Sequence, residues 1–229
     1  MQRSTYAILR HYTPKRFFTT LLSYCPHREV CMKALLAVSR AIDTVTEFIG
    51  RRLSLLVVLL VTVGFVNVVL RFSQRFFGRS LTSNAIIELQ WYMFTILFLM
   101  SFAYILKENL NVRVDFLYTN WSARRRAWVN LIGHLLFLIP FCLLGMYVSY
   151  GPVMRSWGLL PDGTFGTWEI SPDPDGLPRA PIKSMLLLAF VLLLVQGFSE
   201  IIKQLAIITG TVSGEEAARI EEYHAAPIE

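Results

Sequence analysis

Charged residues vanish from four long stretches of the chain. Leu53 to Leu70 and Leu89 to Leu106 each run 18 residues without one, Ala127 to Met154 runs 28, and Ser184 to Ser199 runs 16. Ile201 and Ile202 carry the last stretch past Glu200. A helix needs ~20 apolar residues to cross the hydrocarbon core of a bilayer, and long side chains at its ends reach back to the headgroups. That core offers no water to a free peptide group, so the spans must be helices. The pattern predicts an all-α integral membrane protein with four transmembrane helices, at about 52–72, 86–106, 127–151 and 182–206.

A different periodicity precedes the first span. Leu35, Val38, Ile42, Val45 and Ile49 recur at alternating spacings of three and four, which lines one helix face. Leu36 and Phe48 widen that face, while Arg40, Asp43 and Glu47 take the opposite side. Gly50 is placed to end this helix, and Arg51-Arg52 mark the headgroups before span one. An amphipathic helix at 34–50 joined to a span in this way is expected to lie in the plane of the interface. A soluble helix packed on a partner is the competing reading.

The formal net charge of +6 changes the picture only through its distribution. Nine Lys and Arg precede span one, five lie between spans two and three, and two follow span four. The other two connections carry three each. Placing both termini in the cytoplasm puts sixteen basic residues inside and six outside, as the positive-inside rule requires. The excess is an orientation signal and not a nucleic-acid footprint. Trp91, Trp157 and Trp168 fall at the outer side and Trp121 and Trp128 at the inner side, where indole rings form belts. Cys25, Cys31 and Cys142 form no CxxC pair and suggest no disulfide.

Residues 1–33 read as a disordered basic extension, with organised sequence starting directly after Met32, a candidate translation start. Residues 34–208 form the membrane domain, and 209–229 an acidic tail that frays. The stretch at about 155–181 is rich in Pro, Gly and Asp and reads as a tether or a docking edge. No internal repeat of the kind that builds many autonomous carriers is visible.

Ionisable groups inside spans are costly and usually functional, and few are present. His134 stands alone in span three, with no second spanning His to complete a haem pair. Asn67 and Arg71 share a face at the outer end of span one, and Arg71 or Arg75 is expected to clamp Glu88 across the hairpin. Gln196, Glu200 and Lys203 form a stripe near the inner end of span four, suited to hydrogen-bonding a partner helix. Pro140 should kink span three, and Gly145 with Ser149 makes a small face for close approach. No nucleophile, metal cluster or phosphate loop is recognisable, so no catalytic, metal or cofactor residue is assigned. The chain is not expected to be an enzyme. A membrane anchor for a redox complex is the alternative.

Several pieces together resemble the small membrane subunit (Q-type) of tripartite ATP-independent periplasmic (TRAP) transporters. They are the amphipathic helix, Val68-Val69-Leu70-Arg71, Glu88 ahead of Trp91-Tyr92, and Val112-Arg113-Val114-Asp115. Gly176-Leu177-Pro178-Arg179-Ala180-Pro181-Ile182-Lys183 is similar to the branch that handles oxo acids and related carboxylates. Leu193 to Lys203 fits as well, for coverage of about 33–206. Asn111 stands where relatives often have His before this Arg-Val-Asp signature. The resemblance implies an accessory subunit of the bacterial inner membrane. Its partners would be a large solute- and sodium-carrying membrane subunit, a periplasmic solute-binding protein and membrane lipid. Asn67, Arg71, Glu88, Trp91, Arg113, Asp115, Gln196, Glu200 and Lys203 become candidate residues of the subunit or lipid interfaces.

Overall fold

The computed structural model describes residues 28–78, 82–110 and 121–211. Five α-helices account for most of them: α1 Arg28–Phe77, α2 Asn84–Lys107, α3 Ala123–Gly133, α4 Ile139–Ser156 and α5 Ala180–Thr209. A π-helical turn, His134–Leu138, joins α3 to α4, so Ala123–Ser156 is one continuous helical span. Among the described residues four helices are long and apolar enough to cross a membrane. Residues 1–27 of the basic extension, 212–229 of the acidic tail and the loop carrying Arg113 and Asp115 lie outside the described residues, while α1 already begins at Arg28, ahead of Met32.

The expected helix end at Gly50 does not occur. α1 runs unbroken for 50 residues through it. A glycine that stops a helix usually sits in the left-handed region, and Gly50 is not among the positive-φ residues. Its small size serves a different purpose: a Cβ there would collide with the Tyr104 ring of α2. At ~1.5 Å per residue α1 is about 75 Å long, well beyond the ~40–45 Å of a whole bilayer with its headgroups. The amphipathic helix and span one are therefore one element.

α1 packs along a single seam. Met32, Ser39 and Thr46 are buried at intervals of seven, and Leu53, Leu56, Leu60 and Asn67 continue the seam half-buried. Spacings of three and four keep such a line facing its neighbour. The remaining faces are open: Val38, Val45, Phe48, Val58, Val61 and Phe65 are all exposed. None of the most apolar window of span one is buried within the protein.

α5 is the central helix and touches all the others. Its contacts depend on small residues meeting large ones. A Cβ at Gly197 would lie 2.7 Å from Leu138, and one at Gly145 of α4 would strike Phe190 of α5. Phe190 also meets Phe141 edge to face, with centroids 5.7 Å apart. Small residues of this kind let helices approach closely where lipid leaves little hydrophobic drive to associate. In span three the π turn ends just before Pro140. The proline has no N–H to donate, and just before it Ile139 N–H reaches back five residues to His134 O.

The segment between α4 and α5 is folded, and so is not the open tether that its Pro, Gly and Asp content suggests. Isolated bridges pair Leu159 with Phe165 and Ile170 with Pro178. Trp157 and Trp168 stack edge to face at 4.7 Å, and the Trp157 indole donates to Ser184 Oγ at 2.7 Å. This end of the bundle is called the loop end below. The opposite end, carrying Lys107 and Thr209, is the termini end.

Spin labels at the exposed positions Val38 and Val58 test the unbroken helix. Continuity through Gly50 places them about 30 Å apart, at ~1.5 Å per residue. A right-angle break at Gly50 would bring them to roughly 22 Å on the same rise, a difference that pulsed electron–electron resonance resolves.

Candidate functional site: two polar junctions of the bundle

At the termini end, α1 presents two carboxylates one turn apart, and each takes a lysine from a different helix. Asp43 meets Lys203 of α5 at 2.8 Å, and Glu47 meets Lys107 of α2 at 3.2 Å. Lys203 also contacts Glu200 at 2.7 Å, and Lys107 contacts Glu108 at 3.1 Å. Glu47 bonds Arg51 one turn on along α1. Lys107 further lies over the Tyr104 ring at 5.9 Å.

The Asp43 junction is the more enclosed. Gln196 and Ser199 have no exposed surface, and Glu200 is 3% exposed. Gln196 Nε2 donates to Asp43 Oδ1 at 2.9 Å and to Glu200 Oε1 at 3.2 Å, while its Oε1 accepts from Thr46 at 2.8 Å. Ser199 Oγ donates to Asp43 at 2.9 Å and lies 2.7 Å from Ser39 Oγ. A buried carboxylate is tolerated when cations and donors surround it, and here every polar group of the cluster has a partner. One lysine serves two carboxylates, with an amide and a hydroxyl supplying the remaining donors.

The Gln196, Glu200 and Lys203 stripe thus does bond to a helix, and that helix is α1 of the same chain. Asp43 is the member that sequence patterning assigned elsewhere, because it fell on the polar face of an amphipathic helix. The informative signal was its spacing from Ser39 and Thr46, which places three small or polar side chains on one seam.

At the loop end the expected clamp between Arg71 or Arg75 and Glu88 does not form. Glu88 instead accepts from Ser171 Oγ and, at 2.5 Å, from the backbone N–H of Leu177. Arg71 and Arg75 stay exposed on α1. Asn67 turns into the α1–α2 seam, where its amide donates to Gln90 Oε1 at 3.1 Å. Tyr92 donates to Pro178 O at 3.2 Å and Asn84 to Pro174 O at 3.1 Å. α2 therefore grips the 171–178 limb of the loop through Glu88, Tyr92 and Asn84. Glu169 fastens the loop to both helices it joins: it accepts from Ser156 at 2.5 Å and pairs with Lys183 at 2.5 Å. Trp91 projects outward, 74% exposed.

The model of the family "Tripartite ATP-independent periplasmic transporters, DctQ component" matches residues 36–206. The chain belongs to the DctQ family. The match takes in both polar junctions and all four spans. No curated protein and no solved structure matches the chain. DctQ proteins are the small membrane components of TRAP transporters, working with the larger membrane component DctM and a periplasmic binding protein. The family is one of transporter components and not of enzymes. A multi-pass protein with four spans fits that assignment. Arg113 and Asp115, which contribute to the family resemblance, lie outside the described residues, and no contact is ascribed to them.

Two predictions test the junctions of this DctQ protein. Lys203→Met leaves Asp43 and Glu200 without their cation, and removing one partner of a buried pair costs about 3–5 kcal/mol. The triple variant Asp43→Asn, Glu200→Gln, Lys203→Met keeps donors and acceptors without charge and should recover much of that loss. Unfolding in mixed micelles measures both, and equal loss in the two variants would refute an electrostatic role.

The second concerns Glu169. The Lys183 ammonium first, and the Ser156 hydroxyl next, hold its carboxyl below its ordinary 4.5. A depressed carboxylate contributes stability above the unfolded-state value and loses it as pH falls through the lower folded-state value. Emission from Trp157 and Trp168 should therefore report loosening of the loop on acidification below about 4.5. Glu169→Gln should shrink that transition to the part carried by Glu88, and an unchanged acid transition would sink this account.

Proposed function

We propose that this DctQ protein is the bracing subunit of a TRAP transporter of the bacterial inner membrane. It widens the static scaffold against which the large subunit moves solute. Both termini lie in the cytoplasm, and the loop end faces the periplasm. In this reading sodium coupling and solute translocation belong to the large subunit, and the periplasmic binding protein delivers an organic acid. The similarity of 171–183 to the oxo-acid branch supports a carboxylate solute.

One observation carries the proposal. Among the described residues, the carboxylates and lysines that the bundle encloses are consumed in its own junctions at the two ends, and the spans between are long apolar helices. Translocation of a charged solute needs broken helices or polar groups near the midplane. Spans this continuous suit a support. The open faces of α1 give that support a wide apolar surface.

Co-purification from native membranes in mild detergent should recover a stoichiometric partner with many more spans. Glu88→Lys should reduce that recovery severalfold, because it unseats the 171–178 limb, while Asp162→Lys at the exposed loop tip should leave it intact. Reconstituted vesicles decide the functional part: the three components together take up solute in a sodium gradient, and this chain alone does not. Uptake by the chain alone would overturn the reading.

A further inference from the structure

The loop joining α4 to α5 exposes an apolar surface that neither junction uses. Leu160, Phe165, Trp168 and Ile170 are 48%, 69%, 51% and 66% exposed. In water four such side chains on one short loop would be an adverse arrangement. The loop is nevertheless well fastened. Gly166 N–H donates to Gly158 O at 2.7 Å, Glu169 N–H to Ser156 O at 2.9 Å and Arg179 N–H to Glu169 O at 2.9 Å. These bonds fold residues 165–170 back along the end of α4.

Its height relative to the bilayer follows from the helices that hold it. α5 is 30 residues long, or about 45 Å, which matches a bilayer including its headgroups. Ser184, one turn into α5, therefore lies within the headgroup layer, and it holds Trp157, on which Trp168 stacks. α2 is shorter, 24 residues or about 36 Å, so Glu88 one turn in stands close to the edge of the ~30 Å hydrocarbon core. Tyr92, a turn deeper, leans toward the helix N-terminus as helical side chains do and reaches Pro178 O. Ser171, Leu177 and Pro178 are thus drawn down to the boundary between hydrocarbon and headgroups.

The geometry points to a membrane-interface anchor: residues 159–170 rest in the headgroup layer, with Phe165, Trp168, Ile170 and Leu160 against the upper acyl chains. The helices expose further aromatics toward the same end, Tyr147 and Tyr150 of α4 and Trp91 of α2. Aromatic and aliphatic side chains at this depth are what an interface accepts. The exposed carboxylates around them, Asp162, Asp173 and Asp175, stand on a loop with no Lys or Arg between 157 and 178. That charge suits zwitterionic headgroups and opposes seating on anionic ones. The inference needs only that the four helices span, and it holds whichever side of the membrane the loop end faces.

The test is depth. In the full-length protein with its three cysteines replaced by alanine, spin labels go one at a time on Phe165, Ile170 and Asp162 in phosphatidylcholine vesicles. Labels at 165 and 170 should collide more with oxygen than with a water-soluble nickel chelate, and the label at 162 should show the reverse. Preference for nickel at all three positions would place the loop in water and overturn the proposal. A second measurement keeps the native cysteines. Shallow brominated lipids should quench the emission that Trp168→Phe removes, and an unquenched Trp168 contribution counts against the anchor. Repeating the labels with the large subunit or the binding protein bound separates a third outcome. Exclusion of both quenchers only in that complex would make the patch a protein docking surface instead.

Discussion

Two carboxylates one turn apart on α1, each claiming a lysine from a different helix, tie the termini end of this bundle together. Their importance comes from the solvent. In lipid the apolar faces of helices gain little from meeting each other, because acyl chains are as apolar as leucine. Close packing and polar contacts must then hold the bundle. Asp43 with Lys203 fixes α1 to the central helix, and Glu47 with Lys107 fixes it to α2. With both in place, the rotation of α1 about its axis is set, and so is the face it leaves uncovered.

The loop end answers with a different chemistry. There a carboxylate of α2 is satisfied by a hydroxyl and a backbone N–H from the segment between α4 and α5. Ion pairing sets one end, and capture of a folded loop sets the other. Between them the helices meet at Gly50, Gly64, Gly145 and Gly197, where an added Cβ would crowd Tyr104, Gln90, Phe190 and Leu138 respectively. Two of these positions face aromatic rings, so the seams are narrow and specific.

Much of the architecture was legible because a run without charge is hard to mistake. The four spans, the Gln196–Lys203 stripe and the close approach at Gly145 all followed from patterning. The misreadings have distinct physical origins. Gly50 was taken as a stop signal, but its lack of a side chain is used to admit Tyr104. Asp43 and Glu47 were taken as the solvated face of an amphipathic helix, but they are its packed face, and the apolar stripe opposite is the open one. In a soluble protein the apolar side goes inward; beside a bilayer that rule reverses wherever lipid is the better partner. Glu88 was paired with an arginine because a partly buried carboxylate seeks a cation, and the 155–181 stretch was read as a tether or a docking edge. That stretch closes through backbone bridges and turn residues, which need no apolar core, and so it supplies the donors first.

The same reversal bears on the proposed bracing role. A subunit that only has to be stiff and wide needs no cavity, and every polar group it encloses can be used for its own assembly. Lys203 is the clearest case: it is engaged by both Asp43 of α1 and Glu200 of its own helix. If that site carried solute or coupling ions, its occupancy would have to alternate, and the Asp43 contact holding α1 would break in each cycle. A brace that released its longest helix at every turnover would not be static. The satisfied junction therefore agrees with the continuous spans and with the bracing role proposed above.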